Sequence, residues 1–189
     1  IRSGAGQLYA AGDVDFARGE SFVTGSFSNV GVASLLATRF DALDTEGALD
    51  GTFTAHLSPV GLADLQVDGT VQDVTVNDVG FGSGSFGMRA EEGVWTGQAM
   101  VGSLDRFLEI PTFALSQPDR SMHAELVAYQ LQIADLVDVV ARYVPALDPE
   151  LRERLDTVTG QLDAYAVGRG RLDDPTVDVQ VLQATALEL

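Results

Sequence analysis

The sequence predicts a mostly β protein built of successive antiparallel strands, and three observations carry that expectation. Apolar and polar residues alternate at period two along most of the chain. The alternating runs number about ten at a spacing of roughly 8 to 12 residues, separated by Gly, Asn-Asp, Ser-Pro and Asp-Gly punctuation. Two late stretches switch to helical spacing and then return to alternation. With 189 residues, 46% of them apolar, the chain suffices for one sizeable folded unit and is short for two, so residues 1–189 read as a single β-rich unit. It starts at Ile1 without an initiator Met and ends on the apolar pattern ATALEL, and is expected to be a slice of a longer protein.

In order along the chain, Leu8, Ala10, Val14 and Phe16 share one parity. Leu49, Phe53, Ala55 and Leu57 share a face opposite Thr52, Thr54 and His56. Leu65, Val67 and Val71 alternate with Gln66, Asp68, Thr70 and Gln72, after which the apolar parity moves to Val74 and Val76; one inserted residue near Asp73 predicts a β-bulge. Trp95, Ala99 and Val101 oppose Thr96 and Gln98, and Met122, Ala124, Leu126 and Ala128 oppose His123, Glu125 and Tyr129. Ile133, Leu136, Val137, Val140 and Val144 then recur at helical spacing beside the N-cap candidate Asp135, closed by Pro145. Asp148-Pro149-Glu150 reads as N-cap, first-turn Pro and first-turn acid ahead of Leu151, Leu155 and Val158, with Gly160 as a stop. Two short helices near residues 135–158 are therefore expected. Strands resume at Gln161 with Leu162, Ala164 and Ala166 on one side. Asp173-Asp174-Pro175 forms a corner, and Val177, Val179 and Val181 alternate with Asp178 and Gln180.

The charge excludes several partners. Acidic residues outnumber basic ones 28 to 11, giving a net charge of −17, so the surface repels nucleic-acid backbones and anionic headgroups. Every basic residue is Arg, a usage that reads as coding bias. No run reaches the ~18 to 20 apolar residues of a membrane-spanning helix, and no basic segment precedes an apolar one at the start. The chain has no cysteine, which removes disulfides, Cys-based zinc sites and thiol catalysis.

The motifs that suggest chemistry fail on context. Gly82-Ser83-Gly84-Ser85-Phe86-Gly87 matches the spacing of a dinucleotide-binding turn, but turn and strand follow it where a helix N-terminus is required; small residues relieving strand crowding is the expected role. A chain without Lys lacks the phosphate ligand of P-loop and kinase sites. The only histidines, His56 and His123, sit on polar parities and are expected to face solvent, and no GxSxG turn exists. His123-Ala124-Glu125 lacks the cysteine pair that would complete a zinc-deaminase ligand set. Glu91-Glu92 and Asp173-Asp174 diverge unless they lie in turns, which is where they are expected. No catalytic residue, metal site or cofactor is assigned.

Residues 133–189 carry an ordered series: Asp135 and Leu136, Val144 and Pro145, Gly160 and Leu162, then Gly170, Leu172 and Pro175 ahead of an alternating strand. This succession of D-L helix, Leu-Pro-like region, G-x-L and G-x-L-x-x-P resembles the recurring unit of the TamB group within the AsmA-like envelope proteins. The first two thirds of the chain share only the strand texture. The resemblance implies an elongated curled antiparallel sheet, a taco-shaped trough with an apolar interior, in a periplasmic protein anchored in the inner membrane. It implies a non-catalytic part in moving phospholipid between membranes and, for TamB, in outer-membrane protein assembly with a barrel partner of the Omp85 class.

On that reading the groove is lined by Phe53, Leu57, Leu65, Val67, Val71, Trp95, Val101, Val177, Val179 and Val181, which would hold phospholipid acyl chains. The same residues would form the dry core of a closed sandwich, and one-sided strands with free edges equally suit a scaffold that captures outer-membrane strands or a partner by β-augmentation.

Overall fold

A computed structural model describes residues 6–33, 44–76, 79–103, 105–134, 159–171 and 174–188. They form ten strands: β1 (Gln7–Asp15), β2 (Glu20–Gly31), β3 (Thr45–Ser58), β4 (Gly61–Val76), β5 (Val79–Glu91), β6 (Val94–Ser103), β7 (Arg106–Ser116), β8 (Ser121–Gln132), β9 (Thr159–Arg171) and β10 (Asp174–Glu188). Each pairs antiparallel with its sequence neighbour, so spatial order equals chain order and the result is one sheet. β1 and β10 are each paired on one side only. The sheet is therefore not closed.

The two expected helices fall on residues 135–158, outside the described residues. Gly160, expected as a helix stop, lies inside β9 with a φ of 138°, and strand structure begins at Thr159 rather than Gln161. Phe16, expected to continue the β1 alternation, sits in the turn after it and is almost wholly exposed, because Asp15 accepts the N–H groups of Ala17 and Arg18 and reverses the chain there.

At one end of the sheet all five connections are two to four residues long. Glu92 and Gly93 both take positive φ, 49° and 81°, which gives the two-residue turn between β5 and β6 a twist matched to the flanking strands. Glu91-Glu92 thus lies at a turn, as expected. At the corner between β9 and β10, Arg171 pairs with Asp174 and Gly170 with Pro175, so the chain reverses there.

The opposite end is shaped by bulges. Val71 pairs with Gly84 and Val74 with Gly82, so Gln72 and Asp73 together oppose the single residue Ser83. Asp73 takes the left-handed conformation, φ 51°, and its N–H is accepted by Ser83 Oγ at 3.3 Å. This is the bulge that the parity change predicts. The same construction occurs twice more. Ser28 and Asn29 (φ 53°) oppose Asp50, whose Oδ1 accepts the Asn29 N–H at 3.1 Å. Tyr129 and Gln130 (φ 51°) oppose Asp163, whose Oδ1 accepts the Gln130 N–H at 2.8 Å. A bulge leaves one amide unpaired, and in each case the lone opposing side chain satisfies it.

Few described residues are deeply buried: Leu49, Ala90, Ala128, Leu131 and Thr45. Leu49 and Leu131 stand immediately beyond two of the bulges, paired with Val30 and Leu162. The glycine-rich stretch GFGSGSFG forms part of β5, with strand β6 after it. A Cβ at Gly84 would collide with the Met100 carbonyl, the crowding that small residues relieve.

Candidate functional site

The strand registers sort the side chains into two faces. One rung of directly paired residues runs across all ten strands as Ala10, Gly25, Phe53, Val67, Met88, Gly97, Phe113, Ala124, Gly168 and Val177. Two residues further along, a second complete rung runs through Val23, Ala55, Leu65, Ala90, Trp95, Leu115 and Met122, with Gly12 at the β1 end and Gly170 and Pro175 at the other. No member of either rung carries a polar side chain. The rung between them belongs to the opposite face and reads Ala11, Thr24, Thr54, Gln66, Arg89, Thr96, Ala114, His123, Arg169 and Thr176. One face is thus apolar along two whole rungs, and the other is predominantly polar.

All ten residues singled out from the sequence fall on the apolar face. Phe53, Val67 and Val177 belong to the first rung, and Leu65 and Trp95 to the second. Val71, Val101 and Val181 share a third, through Gly84, Leu108, Ala128 and Ala164. Leu57 lies between Ser21 and Leu62 near the short-turn end, and Val179 beside Ala166 and Leu126. Their surroundings differ. Phe53, Leu65, Val67, Val71, Trp95 and Val101 are half-buried, whereas Leu57 is 40% exposed and Val177, Val179 and Val181 are 61 to 64% exposed on the edge strand.

The half-burial has a specific source. A Cβ at Gly25 would stand 2.5 Å from the Phe53 ring, one at Gly51 2.6 Å from Phe27, one at Gly69 2.8 Å from Phe86 and one at Gly97 2.6 Å from Phe113. Each of these four pairs is a direct cross-strand pair. The rings pack against glycine backbone on the neighbouring strand, covering surface that a missing side chain leaves bare. Gly51 also pairs with Gly69, and the two rings above that pair, Phe27 and Phe86, are 6.5 Å apart at 29°. Phe27, Phe86 and Phe113 were not among the ten groove residues chosen from the sequence. For Phe27 and Phe86, as for Phe53, the signal is a Gly-x-Phe spacing, which Phe113 lacks, and it acquires meaning only with the register that sets each ring opposite a glycine.

The polar face carries charge pairs. Arg89 reaches Asp64 at 3.2 Å and Glu91 at 3.1 Å, and Arg169 reaches Asp178 at 2.9 Å; such exposed pairs contribute about 0 to 1 kcal/mol each. His123 is exposed beside Glu125 at 3.3 Å, as expected. His56 departs from the expectation of a solvent-facing side chain. Its ring stacks on Phe22, the residue paired with it, at 4.3 Å and 5°, and its Nε2 is buried without a hydrogen bond, 4.0 Å from Glu20. The pairing of His56 with an aromatic residue on β2 covers one side of its ring and leaves the side chain half-buried. The Tyr165 phenol is held above its ordinary pKa, first by desolvation, then by its hydrogen bond to Glu125 and that carboxylate's charge.

Comparison of the chain with protein-family models, with curated proteins and with solved structures found no match.

Proposed function

We propose that this chain is a segment of a TamB-like envelope protein whose sheet curls about its apolar face into a trough and carries phospholipid acyl chains through the periplasm between the two membranes. The parent protein on this reading is anchored in the inner membrane, works without catalysis, and meets an Omp85-class barrel at the outer membrane. The observation that supports it most directly is the pair of unbroken apolar rungs crossing every strand. Each methylene withdrawn from water is worth ~0.8 kcal/mol, so a continuous apolar path lowers the barrier to moving a tail without any directional contact. The acidic polar face keeps the trough soluble and repels anionic headgroups from the wrong side.

The test is organic extraction and mass spectrometry of lipid from the purified chain, beside Val67→Asp and Val179→Asp. Phospholipid is expected in stoichiometric amount with the wild type and absent from both variants, with circular dichroism showing that they still fold. A folded wild type that emerges clean, even after incubation with liposomes, refutes the reading. A second reading, capture of a partner strand by β-augmentation, draws on the two unpaired edges of the sheet. It predicts peptide binding that depends on backbone amides and no bound lipid.

A further inference from the structure

We propose that the polar face of the sheet carries a shallow binding site for an uncharged saccharide, centred on Gly87. Two hollows adjoin there, of about 440 and 490 Å³, and they share Asp68, Gly87 and Gln98. Each volume falls within the ~300 to 1,000 Å³ of small-ligand sites. The three shared residues form one rung of the polar face, Asp68 paired with Gly87 and Gly87 with Gln98. The site lies on the interior strands β4 to β7, on the side of the sheet opposite the apolar rungs. It therefore stands or falls independently of the lipid reading.

Three departures from regular strand pattern meet at this spot. The first is Gly87, a glycine that the fold does not require. A Cβ at the nearby Gly69, Gly84 or Gly97 would run into a carbonyl oxygen of the adjacent strand. A Cβ at Gly87 would meet, among the described residues, only the tip of Asp68, whose Oδ1 stands 3.1 Å away, and its φ is not left-handed. A strand glycine with neither reason marks a place where another group approaches the backbone closely. The second is Met100, an apolar side chain on the polar face, paired with Ser85 and Glu109 and 43% exposed. The third is a bulge in β7. Gly97 pairs with Phe113 and Ala99 with Ile110, so Pro111 and Thr112 together oppose Gln98 and line the hollow. Bulges of this kind re-aim side chains beside functional sites.

The lining selects the ligand. Gln66 Nε2 donates to Asp68 Oδ2 at 2.8 Å, which holds that carboxylate in place and leaves its Oδ1 over Gly87. Gln98, Ser85 and Thr112 contribute amide and hydroxyl groups that both donate and accept. Glu109 closes the far side, three strands from Asp68 and so ~14 Å away at ordinary strand spacing. The two carboxylates are too far apart to share one small cation, and both repel an anion. A ligand whose polar groups are hydroxyls, each a donor and an acceptor at once, matches this mixture. Met100 and Pro111 offer apolar surface to the C–H groups of a sugar ring. Asp68, Ser85 and Gln98 remain exposed, so the hollow is shallow and binding falls in the millimolar class.

The test follows backbone amide resonances of the isotope-labelled chain by NMR. Maltose, cellobiose and N,N′-diacetylchitobiose are each added to about 50 mM, above the millimolar range of a weak site, with spermidine as a cationic control. At least one disaccharide is expected to shift the Asp68, Gly87 and Gln98 amides along a saturating curve, and spermidine to leave them in place. Gly87→Val fills the hollow with a residue that strands favour, and is expected to stay folded and to weaken binding at least tenfold. Gln98→Ala, which removes a donor and acceptor from an exposed position, weakens it at least threefold. Neither substitution touches the apolar face, so lipid co-purification is expected to be unchanged in both. The inference is overturned if none of the three disaccharides gives a saturating shift at these amides, if spermidine shifts them more than any sugar does, or if folded Gly87→Val and Gln98→Ala bind as the wild type does.

Discussion

Two regions of the same apolar face solve the problem of an uncovered sheet in different ways. From β2 to β7 the face is paved with phenyl rings, each lying over a glycine of the adjacent strand, so Phe27, Phe53, Phe86 and Phe113 are half-buried with no second layer above them among the described residues. From β8 to β10 that face carries no rings among the described residues. Ala124, Ala128, Ala164, Ala166 and Gly168 form the floor, and Val177, Val179 and Val181 stand beside it with most of their surface in water. The first region supplies apolar burial from within the sheet, and the second leaves apolar surface for something else to cover. Identical parity along the strands thus hides a division between residues that hold the sheet together and residues that are free to bind.

The strongest way to break this comparison is to remove a ring. Full burial would make Phe→Ala cost about 3 to 5 kcal/mol; for a half-buried Phe53, whose ring also covers Gly25, Phe53→Ala is expected to cost about 2 to 3 kcal/mol. Val179→Ala, on the exposed edge, is expected to stay within about 0.5 kcal/mol of the wild type. Urea unfolding of the two variants measures both. Equal losses would mean that the rings are surface decoration and that the two regions do not differ in kind.

The bulges provide a smaller and sharper test, because two of them stand one in each region. Asp50 and Asp163 satisfy the left-handed amides of Asn29 and Gln130, and Leu49 and Leu162 precede them in the similar segments Gly47-Ala48-Leu49-Asp50 and Gly160-Gln161-Leu162-Asp163. Removing an acceptor from a partly buried N–H costs about 1 to 3 kcal/mol. Asp163→Ala is expected to lose stability in that range and to speed exchange of the Gln130 amide, while Asp163→Asn, which keeps an acceptor, restores both. The exposed Asp50 site should lose less in Asp50→Ala. Unchanged exchange at Gln130 in Asp163→Ala would show that the amide finds another partner.

Much of the architecture was legible because alternation is a local property. A strand half in water must repeat every two residues, so the strand segments, their succession and the common face of the ten named residues follow from parity. The Asp73 bulge was legible for the same reason, since a change of parity betrays an inserted residue. The steps from Phe27 to Val30 and from Ala128 to Leu131 carry that signal too, and the bulges at Asn29 and Gln130 could have been read from it. The ring and glycine pairs could not, because what lies opposite Phe53 is decided by the register of two strands, a non-local quantity. His56 fails for the same reason: its parity is polar, but its cross-strand neighbour is Phe22.

An effect confined to alkaline pH concerns the polar side of the second region. Tyr165 on β9 is hydrogen-bonded to Glu125 on β8, and desolvation together with that contact raises its pKa. A raised folded-state value means that the folded chain keeps the phenol proton after the unfolded chain has begun to release it. By linkage the contribution to stability is fully present below the ordinary tyrosine value near 10.0, declines as pH rises through that value, and is lost above the raised one. Tyr165→Phe abolishes this group's titration, so the alkaline decline of the urea midpoint is expected to be shallower in the variant than in the wild type. The phenyl ring left by that substitution still fills the same space, so the neutral-pH midpoint falls only by what the lost hydrogen bond contributed. Identical alkaline slopes in the two proteins would show that Tyr165 does not couple β8 to β9. Beyond backbone pairing, β8 and β9 would then be held by the Asp163 contact to the Gln130 amide rather than by the Tyr165 phenol.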